Sequence, residues 1–364
     1  MKKILISILF LPVCSVGFSQ ENLKTENLFL ITVDGLRWQE VYTGADSLLI
    51  GHEEYVRNSD QLIEKFWNND PMIRRSKLLP FFWETIAENG QLYGNRDLGN
   101  KIDLANPYRF SYPGYSELLA GYADSGVDSN EKRWNPNKTV LEYINNQPGF
   151  KDKVAVFASW DVFPYIVNSQ RSGIPVNAGF ALADEGHLSE REQLLNEIQP
   201  QIPRPWSSVR HNAFSYHYAV EFIKKHQPRV VYISFDETDE FAHSGNYEGY
   251  LNSAWQVDRF IAELWEKIQA DPHYRDKTTF VIATDHGRGT YPLDQWRHHG
   301  ADIEGAEEVW LAVIGPDTPA LGVIGSGGIL YQNQIAQTIA ALLGLKFESE
   351  NPLGEAIQSV LADK

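Results

Sequence analysis

The stretch TTFVIATDHG, Thr278 to Gly287, decides the fold. Phe280, Val281, Ile282 and Ala283 form an apolar run of the kind a covered strand needs, and at its end stand an acid and an imidazole, Asp285 and His286. Neighbouring side chains on a strand point to opposite faces, but where the chain turns at the strand's carboxyl end both groups can converge on one point. A metal ion is one such point. Working outward, similar runs recur at Asn27 to Gly35 (NLFLITVDG), Lys153 to Asp161 (KVAVFASWD), Arg229 to Asp239 (RVVYISFDETD) and Glu308 to Pro316 (EVWLAVIGP). Runs rich in Val, Ile and Leu that each enter a polar turn are the pattern of strands covered on both faces. Helical patterns lie between them, at Pro80 to Asn89, Thr139 to Asn145, Asn212 to His226, Tyr250 to Ala270 and Gln332 to Leu343. The alternation predicts an α/β sandwich around a largely parallel sheet, and in such sheets ligands bind beyond the carboxyl ends of the strands.

With 364 residues, 43% of them hydrophobic and 22% charged, the chain is long enough for a substantial core and too apolar to be disordered. A formal net charge of −16 argues against duplex nucleic acid or an anionic membrane surface as a partner. It does not exclude a small or glycan-linked anionic ester, because a bound metal inverts the local sign. The first residues, MKKILISILFLPVCSVGFSQ, read as a signal peptide over residues 1–19, with Gly17 and Ser19 placed for cleavage before Gln20, too short for a transmembrane anchor. That reading predicts an exported protein, periplasmic or secreted; lipidation of Cys14 is the alternative, disfavoured by the bulky Val13 before it. Cys14 is the single cysteine, so the mature chain has no thiol, and any metal must be held by nitrogen and oxygen. Nothing repeats at a fixed period, so residues 20–364 read as one domain, with the polar, aromatic segments Gln39 to Leu79 and Ala123 to Gln227 as insertions lining the crevice.

Several strand ends carry acids or histidines. Asp34 follows the first run, and in DEFAH the residues Asp239 and His243 are four apart, one helical turn, a spacing that serves a helix-start salt bridge as well as a metal. His298 and His299 precede Gly300, and either suits a ligand. With Asp285 and His286 these form a set of carboxylates and imidazoles of the kind zinc accepts. In NPYRFSYPGYSELLAGY, Ser116 with Glu117 after it reads as a helix N-cap, whereas Ser111 lies in the turn ahead of Pro113, where a hydroxyl can face a metal and become a nucleophile. The aromatic stretch Trp160 to Tyr165 suits either core packing or stacking on a base or sugar.

The order Asp34, Ser111, Asp239, His243, Asp285, His286, His299 resembles the alkaline phosphatase superfamily, and most of all its type I phosphodiesterase/nucleotide pyrophosphatase branch and the related binuclear phosphatases. The resemblance rests on VDG (Val33–Gly35), SYPGYS (Ser111–Ser116), DEFAH (Asp239–His243), TDHG (Thr284–Gly287) and HHG (His298–Gly300), with VIGP downstream. It implies a three-layer α/β sandwich, a metal-dependent phosphoric ester hydrolase, and two divalent ions, zinc or in some branches manganese. Asp34, Ser111, Asp285 and His286 would hold one ion; Asp239, His243 and His299 would hold the other. Ser111 would be the nucleophile, forming a phosphoseryl intermediate.

The chain also departs from that pattern. The phosphodiesterase branch has a threonine nucleophile with an asparagine shortly after it; here Gly114 and Tyr115 follow Ser111, which leaves Arg109 and Arg37 as the nearest cationic candidates for substrate oxygens. Sulfatases carry a cysteine or serine followed by x-P-x-R, and Tyr115 stands where that arginine belongs, so hydrolysis of sulfate or phosphonate esters is the secondary expectation. A secreted glycan- or nucleotide-binding protein that keeps the fold without turnover is the non-enzymatic one.

Overall fold

The computed structural model describes residues 23–362, so residues 1–19, read above as a signal peptide, and Cys14 within them lie outside the described residues. Among them are the strands β1 (Asn27–Val33), β2 (Gln91–Tyr93), β3 (Lys101–Asp103), β4 (Val154–Ala158), β5 (Val176–Ala178), β6 (Val230–Phe235), β7 (Thr278–Ala283), β8 (Glu308–Val309), β9 (Leu311–Ile314), β10 (Gly322–Val323) and β11 (Ile329–Tyr331). The large sheet runs β10-β2-β9-β7-β1-β6-β4-β5, and β11-β3-β8 form a small one. From β5 to β7 every pairing is parallel, as the continuous apolar runs require, because parallel strands are covered on both faces. β1, β4, β6 and β7 are buried along their whole length.

Alternation along β1 sorts its side chains into two cores. Phe29, Ile31 and Val33 join the cluster under the helices Asn212–His226 and Tyr247–Ala270. Leu28 and Leu30 join the opposite cluster, under Ser111–Ala120, Val140–Asn145 and Gln334–Leu342. The result is three layers, helix on sheet on helix. The Tyr247–Ala270 helix begins three residues before the expected Tyr250, because the Asn246 side chain accepts the Gly249 N–H at 2.9 Å and caps it there.

Two expectations need correction. The run Glu308 to Pro316 is not one strand of the parallel sheet: it breaks at Trp310, whose indole N–H donates to the Leu36 carbonyl at 2.7 Å. β8 pairs with β3 in the small sheet, while β9 runs antiparallel to β7. The segment Ala123 to Gln227 is likewise only partly insertion, since β4, β5 and the Asn212–His226 helix are parts of the layers. Within it, the stretch before Asn212 returns across the end of β4, where Asp161 N–H donates to the Ser208 carbonyl at 3.0 Å.

Candidate active site

Strand order builds the site. β1 lies between β6 and β7, with Val33 opposite Phe235 and Thr32 opposite Ala283, so the residues that follow these three strands emerge side by side. Asp34, Asp285 and His286 are all buried there. Each has one polar atom occupied and one bare. Tyr115 Oη donates to Asp34 Oδ2 at 2.8 Å, and the Gly35 N–H donates to Asp285 Oδ1 at 3.1 Å. Asp34 Oδ1 and Asp285 Oδ2, both buried, have no hydrogen-bond partner. His286 Nδ1 lies 2.9 Å from the Gly287 carbonyl, which can only accept, so Nδ1 carries the proton and Nε2 is left with its lone pair free to ligate or accept.

The three bare atoms converge. His286 Nε2 is 3.3 Å from Asp34 Oδ1 and 3.5 Å from Asp285 Oδ2, and Ser111 Oγ completes the group at 3.4 Å. Tetrahedral ligation of zinc with bonds of about 2.1 Å would separate its donors by roughly 3.4 Å. The residues therefore fit a cation, and orphaned buried carboxylate oxygens are otherwise costly.

Ser111 opens the Ser111–Ala120 helix, all ten residues of which are buried. Pro113 is tolerated because it lies in the first turn, where its missing N–H would have no intrahelical partner. Gly114 is required by close approach: a Cβ there would lie 2.4 Å from the Asp285 carbonyl oxygen. Gln332 bridges the contact, donating to the carbonyls of Gly114 at 2.8 Å and Asp285 at 3.2 Å. Ser116 is not the N-cap expected of it. It lies mid-helix with Oγ accepting from Asn135 Nδ2 at 3.2 Å, because the helix begins five residues earlier. Glu117 instead reaches back to accept the N–H groups of Ala105 at 2.9 Å and Asn106 at 2.8 Å, holding the loop before Ser111. In that loop Arg109 takes a φ of +55°, with its N–H bound to Asn106 Oδ1 at 2.9 Å.

A second group stands beside the first. Asp239 and His243 project from the short Glu237–His243 helix that follows β6, one turn apart, with His243 Nε2 3.1 Å from Asp239 Oδ2. His299 Nε2 lies 2.9 Å from His243 Nε2 and 3.7 Å from Asp239 Oδ1. Asp239, His243 and His299 thus form a trio more open than the buried one. The rings of His286 and His299 stack at 4.0 Å, so the two groups share a wall.

Burial governs the charges. It pushes the carboxyls of Asp34, Asp285 and Asp236 well above the aspartate range, with the neighbouring acids adding to the effect. For Asp239 burial works in the same direction but is outweighed by Arg288, His243 and His299, which hold it well below that range. Burial lowers His286 to about 4 and His299 well below the imidazole range, so both stay neutral, as ligands must be.

Comparisons with known proteins bear on the fold and on the segment that holds most of these residues. The model of the Metalloenzyme superfamily matches residues 210–346, which hold Asp239, His243, Asp285, His286 and His299. The fold is shared with wild-type alkaline phosphatase PafA, at TM-score 0.58 and 11% identity over 93% of this chain and 99% of that one. Over residues 210–346 the chain is similar to the Metalloenzyme superfamily, and its fold is that of an alkaline phosphatase. The same fold is found in murine ectonucleotide pyrophosphatase/phosphodiesterase 5, at TM-score 0.55 and 11% identity over 93% of this chain and 100% of that one, and in a putative sulfatase from Bacteroides thetaiotaomicron VPI-5482, at TM-score 0.59 and 11% identity over 92% and 74%. A 2,3-bisphosphoglycerate-independent phosphoglycerate mutase of Gracilaria tenuistipitata var. liui is 27% identical over 77 residues, 21% of this chain and 14% of that protein's length.

Of the two adjacent histidines, His299 lies in the open trio, whereas His298 is exposed at the end of a short turn of helix. Arg37 is not at the site mouth. It is buried in a pair with Glu40 and donates to the Gly289 carbonyl, so it fastens loops rather than meeting substrate. Arg109 is part-exposed beside the loop after His299, with Nη1 3.2 Å from Glu307 and 3.5 Å from the Ala301 carbonyl. In the stretch Trp160 to Tyr165, Val162 and Phe163 are core, and the Trp160 N–H donates to Asp236 Oδ2 at 3.2 Å. Sequence reasoning missed Arg288, Tyr115, Gln332 and Asp236 as parts of the site. Arg288 stands two residues beyond His286 and Tyr115 one turn beyond Ser111, and that adjacency was the available signal.

Proposed function

We propose that the chain is an exported hydrolase of phosphate esters that uses two divalent metal ions, zinc or manganese, with Ser111 as nucleophile. The observation that carries the reading is the convergence of Ser111 Oγ and the bare atoms of Asp34, Asp285 and His286 beside the Asp239–His243–His299 trio. When bound, the ions supply Lewis-acid stabilisation of phosphoryl and leaving-group charge and lower the pKa of a coordinated hydroxyl. The chain itself fixes Ser111 at a helix N-terminus, keeps His286 and His299 neutral, and walls the nucleophile off from bulk water. Attack by Ser111 Oγ on phosphorus expels the alcohol and leaves a phosphoseryl group, which water then hydrolyses.

Two observations narrow the ester. Most cations near the site are already paired, Arg37 with Glu40, Arg109 with Glu307, Lys132 with Asp161 and Arg288 with Asp239, which leaves Arg297, whose Nη2 donates to the His243 carbonyl at 3.2 Å, as the guanidinium there without an acid partner among the described residues. A monoanionic phosphodiester asks less of such a site than a dianionic monoester. Tyr115, at the position of the sulfatase arginine, is bound to Asp34, and this favours phosphate over sulfate. Murine ectonucleotide pyrophosphatase/phosphodiesterase 5, which shares the fold, is seen with AMP, and another protein of this fold, Ps i-CgsB, with a neocarrahexaose. A nucleotide-like or glycan-linked ester is therefore the substrate class to examine first. The test is metal content per chain, followed by turnover of bis-nitrophenyl phosphate, nitrophenyl phosphate, a phosphonate ester and nitrophenyl sulfate by the wild type and Ser111→Ala. Diester turnover lost in Ser111→Ala supports the reading. Preferred sulfate turnover replaces it with a sulfatase, and the absence of both metal and turnover with a binding protein.

A further inference from the structure

We infer that the two metal groups are anchored separately, Tyr115 being the positioning residue of the buried trio and Arg288 that of the open one. The inference rests on the binuclear reading above and extends it to residues outside the ligand set.

Tyr115 reaches the buried trio from the nucleophile's own helix. It lies one turn beyond Ser111, and its hydroxyl donates to Asp34 Oδ2 while standing 3.2 Å from Ser234 Oγ. Ser234 Oγ in turn accepts from Thr32 Oγ1 at 3.0 Å. These hydroxyls come from the helix and from two adjacent strands, β6 and β1. The phenol therefore selects which oxygen of Asp34 is occupied and which remains bare, and it ties that choice to the helix that presents Ser111. The ring is locked edge-on against Phe163 at 4.9 Å, so the hydroxyl has little freedom to leave.

Arg288 acts on the other group. Its guanidinium is buried and pairs with Asp239 Oδ1; its Nη1 donates to the Arg297 carbonyl at 2.7 Å and its Nε to the Gly35 carbonyl at 3.1 Å. One planar head thus fixes Asp239, the strand-end turn after Asp34, and the segment that leads to His299. With Oδ1 engaged, Asp239 presents Oδ2 toward His243. Gly35 is held open for this head: at φ +59°, a Cβ there would lie 2.8 Å from Arg288 Nε. Tyr115 binds Asp34 and Arg288 binds Asp239, and neither hydrogen-bonds the other's carboxylate; the groups meet where His286 Nε2 lies 3.6 Å from Asp239 Oδ1, so the two effects should separate in degree, each variant weakening its own trio most.

Metal-free protein titrated with zinc in a calorimeter tests this without reference to turnover. His286→Ala and His299→Ala identify which binding step belongs to which trio. Tyr115→Phe should weaken the buried trio's step by about 10–100-fold and leave the other within about threefold, as loss of an outer-shell partner does. Arg288→Lys, which keeps the charge but not the fork, should weaken the open trio's step by a similar factor. A purely structural role would lower the unfolding temperature and leave both affinities alone. If Arg288→Lys does not fold, Tyr115→Phe, which keeps the ring, decides the matter: equal weakening of both steps, or of neither, overturns the inference. Wild-type protein that binds fewer than two zinc ions overturns the functional reading and this inference together, whereas two ions with unshifted variants overturns this inference alone.

Discussion

The contact between Gly114 and Asp285 gives the most direct test of how the nucleophile is positioned. An alanine Cβ at residue 114 would sit 2.4 Å from the Asp285 carbonyl oxygen, against an ordinary contact of 3.4 Å or more. Asp285 cannot yield, because its backbone follows β7 in the centre of the sheet and its carbonyl also accepts from Gln332. The Ser111–Ala120 helix must therefore recede by about 1 Å, and a misplacement of that size near the chemistry costs on the order of 100-fold in rate. Converted at 1.4 kcal/mol per factor of ten, the loss is about 3 kcal/mol of transition-state stabilisation. The assay is kcat/KM for a diester on metal-saturated protein, alongside zinc stoichiometry and circular dichroism. We expect Gly114→Ala to keep its helical signal and both metals while kcat falls about 100-fold with KM little changed. A variant within threefold of wild type in kcat would show that the helix need not be seated against Asp285, and would refute the reasoning from close approach.

Other expectations follow from the same geometry. Ser111→Ala should abolish turnover with the open trio's metal retained, and Ser116→Ala, losing one hydrogen bond from Asn135, should cost about 1 kcal/mol of stability and leave turnover intact; the reverse result in a turnover and melting comparison would move the nucleophile. His299→Ala should bind one metal fewer per chain, while His298→Ala, at an exposed position, should bind as many as wild type by elemental analysis. Burial pushes the Asp258 carboxyl from 3.8 to about 7 although it accepts the N–H groups of Phe81 and Phe82. The folded chain then holds this proton where the unfolded chain has lost it, so stability falls as pH rises from about 4 to about 7. Asp258→Asn should remove about 2 kcal/mol of the difference between pH 5 and pH 7 in urea unfolding, and parallel curves for variant and wild type would contradict it. His286 has the opposite sign: lowered to about 4, it favours the folded chain above the ordinary imidazole value of 6.5, and that contribution is lost as pH falls from 6.5 to about 4, a loss that urea unfolding of metal-free wild type should show and His286→Gln should not.

What could be read from the sequence was what is local along it. Asp34, Asp285 and His286 each follow directly on an apolar run, so a covered strand and a polar strand end announce them together. Asp239 and His243 stand one helical turn apart after another such run, and the helix that brings them onto one face is short but present. The parts that depended on strand order were not legible. Nothing in the sequence says that β1 lies between β6 and β7, and that order is what brings Asp236 beside Asp34 and Arg288 beside Asp239. Arg37 illustrates the converse error. Proximity to Asp34 suggested substrate contact, but a side chain's direction is set by its partners, and Glu40 one turn further on turns this one into the core. Ser116 was misjudged because Pro113 and Gly114 look like a break, whereas a proline in the first turn and a glycine at a close contact both belong inside the helix.

The acidity of the chain and the charge of the proposed substrate are reconciled at the same place. Four carboxylates, those of Asp34, Asp236, Asp239 and Asp285, are gathered at the ends of adjacent strands, and Arg288 is the guanidinium set among them. Without further cations such a cluster resists ionisation, and burial does raise Asp34, Asp236 and Asp285. Only Asp239, the one paired with Arg288, is held ionised by the protein's own groups. Two divalent ions would reverse this balance, ionising the carboxylates and leaving positive potential facing the mouth, where Arg37, Arg109 and Lys132 are already committed to acids and Arg297 is not. On this reading Arg297 is the side-chain cation left to meet the ester, and most of the attraction for an anion comes from the bound metals.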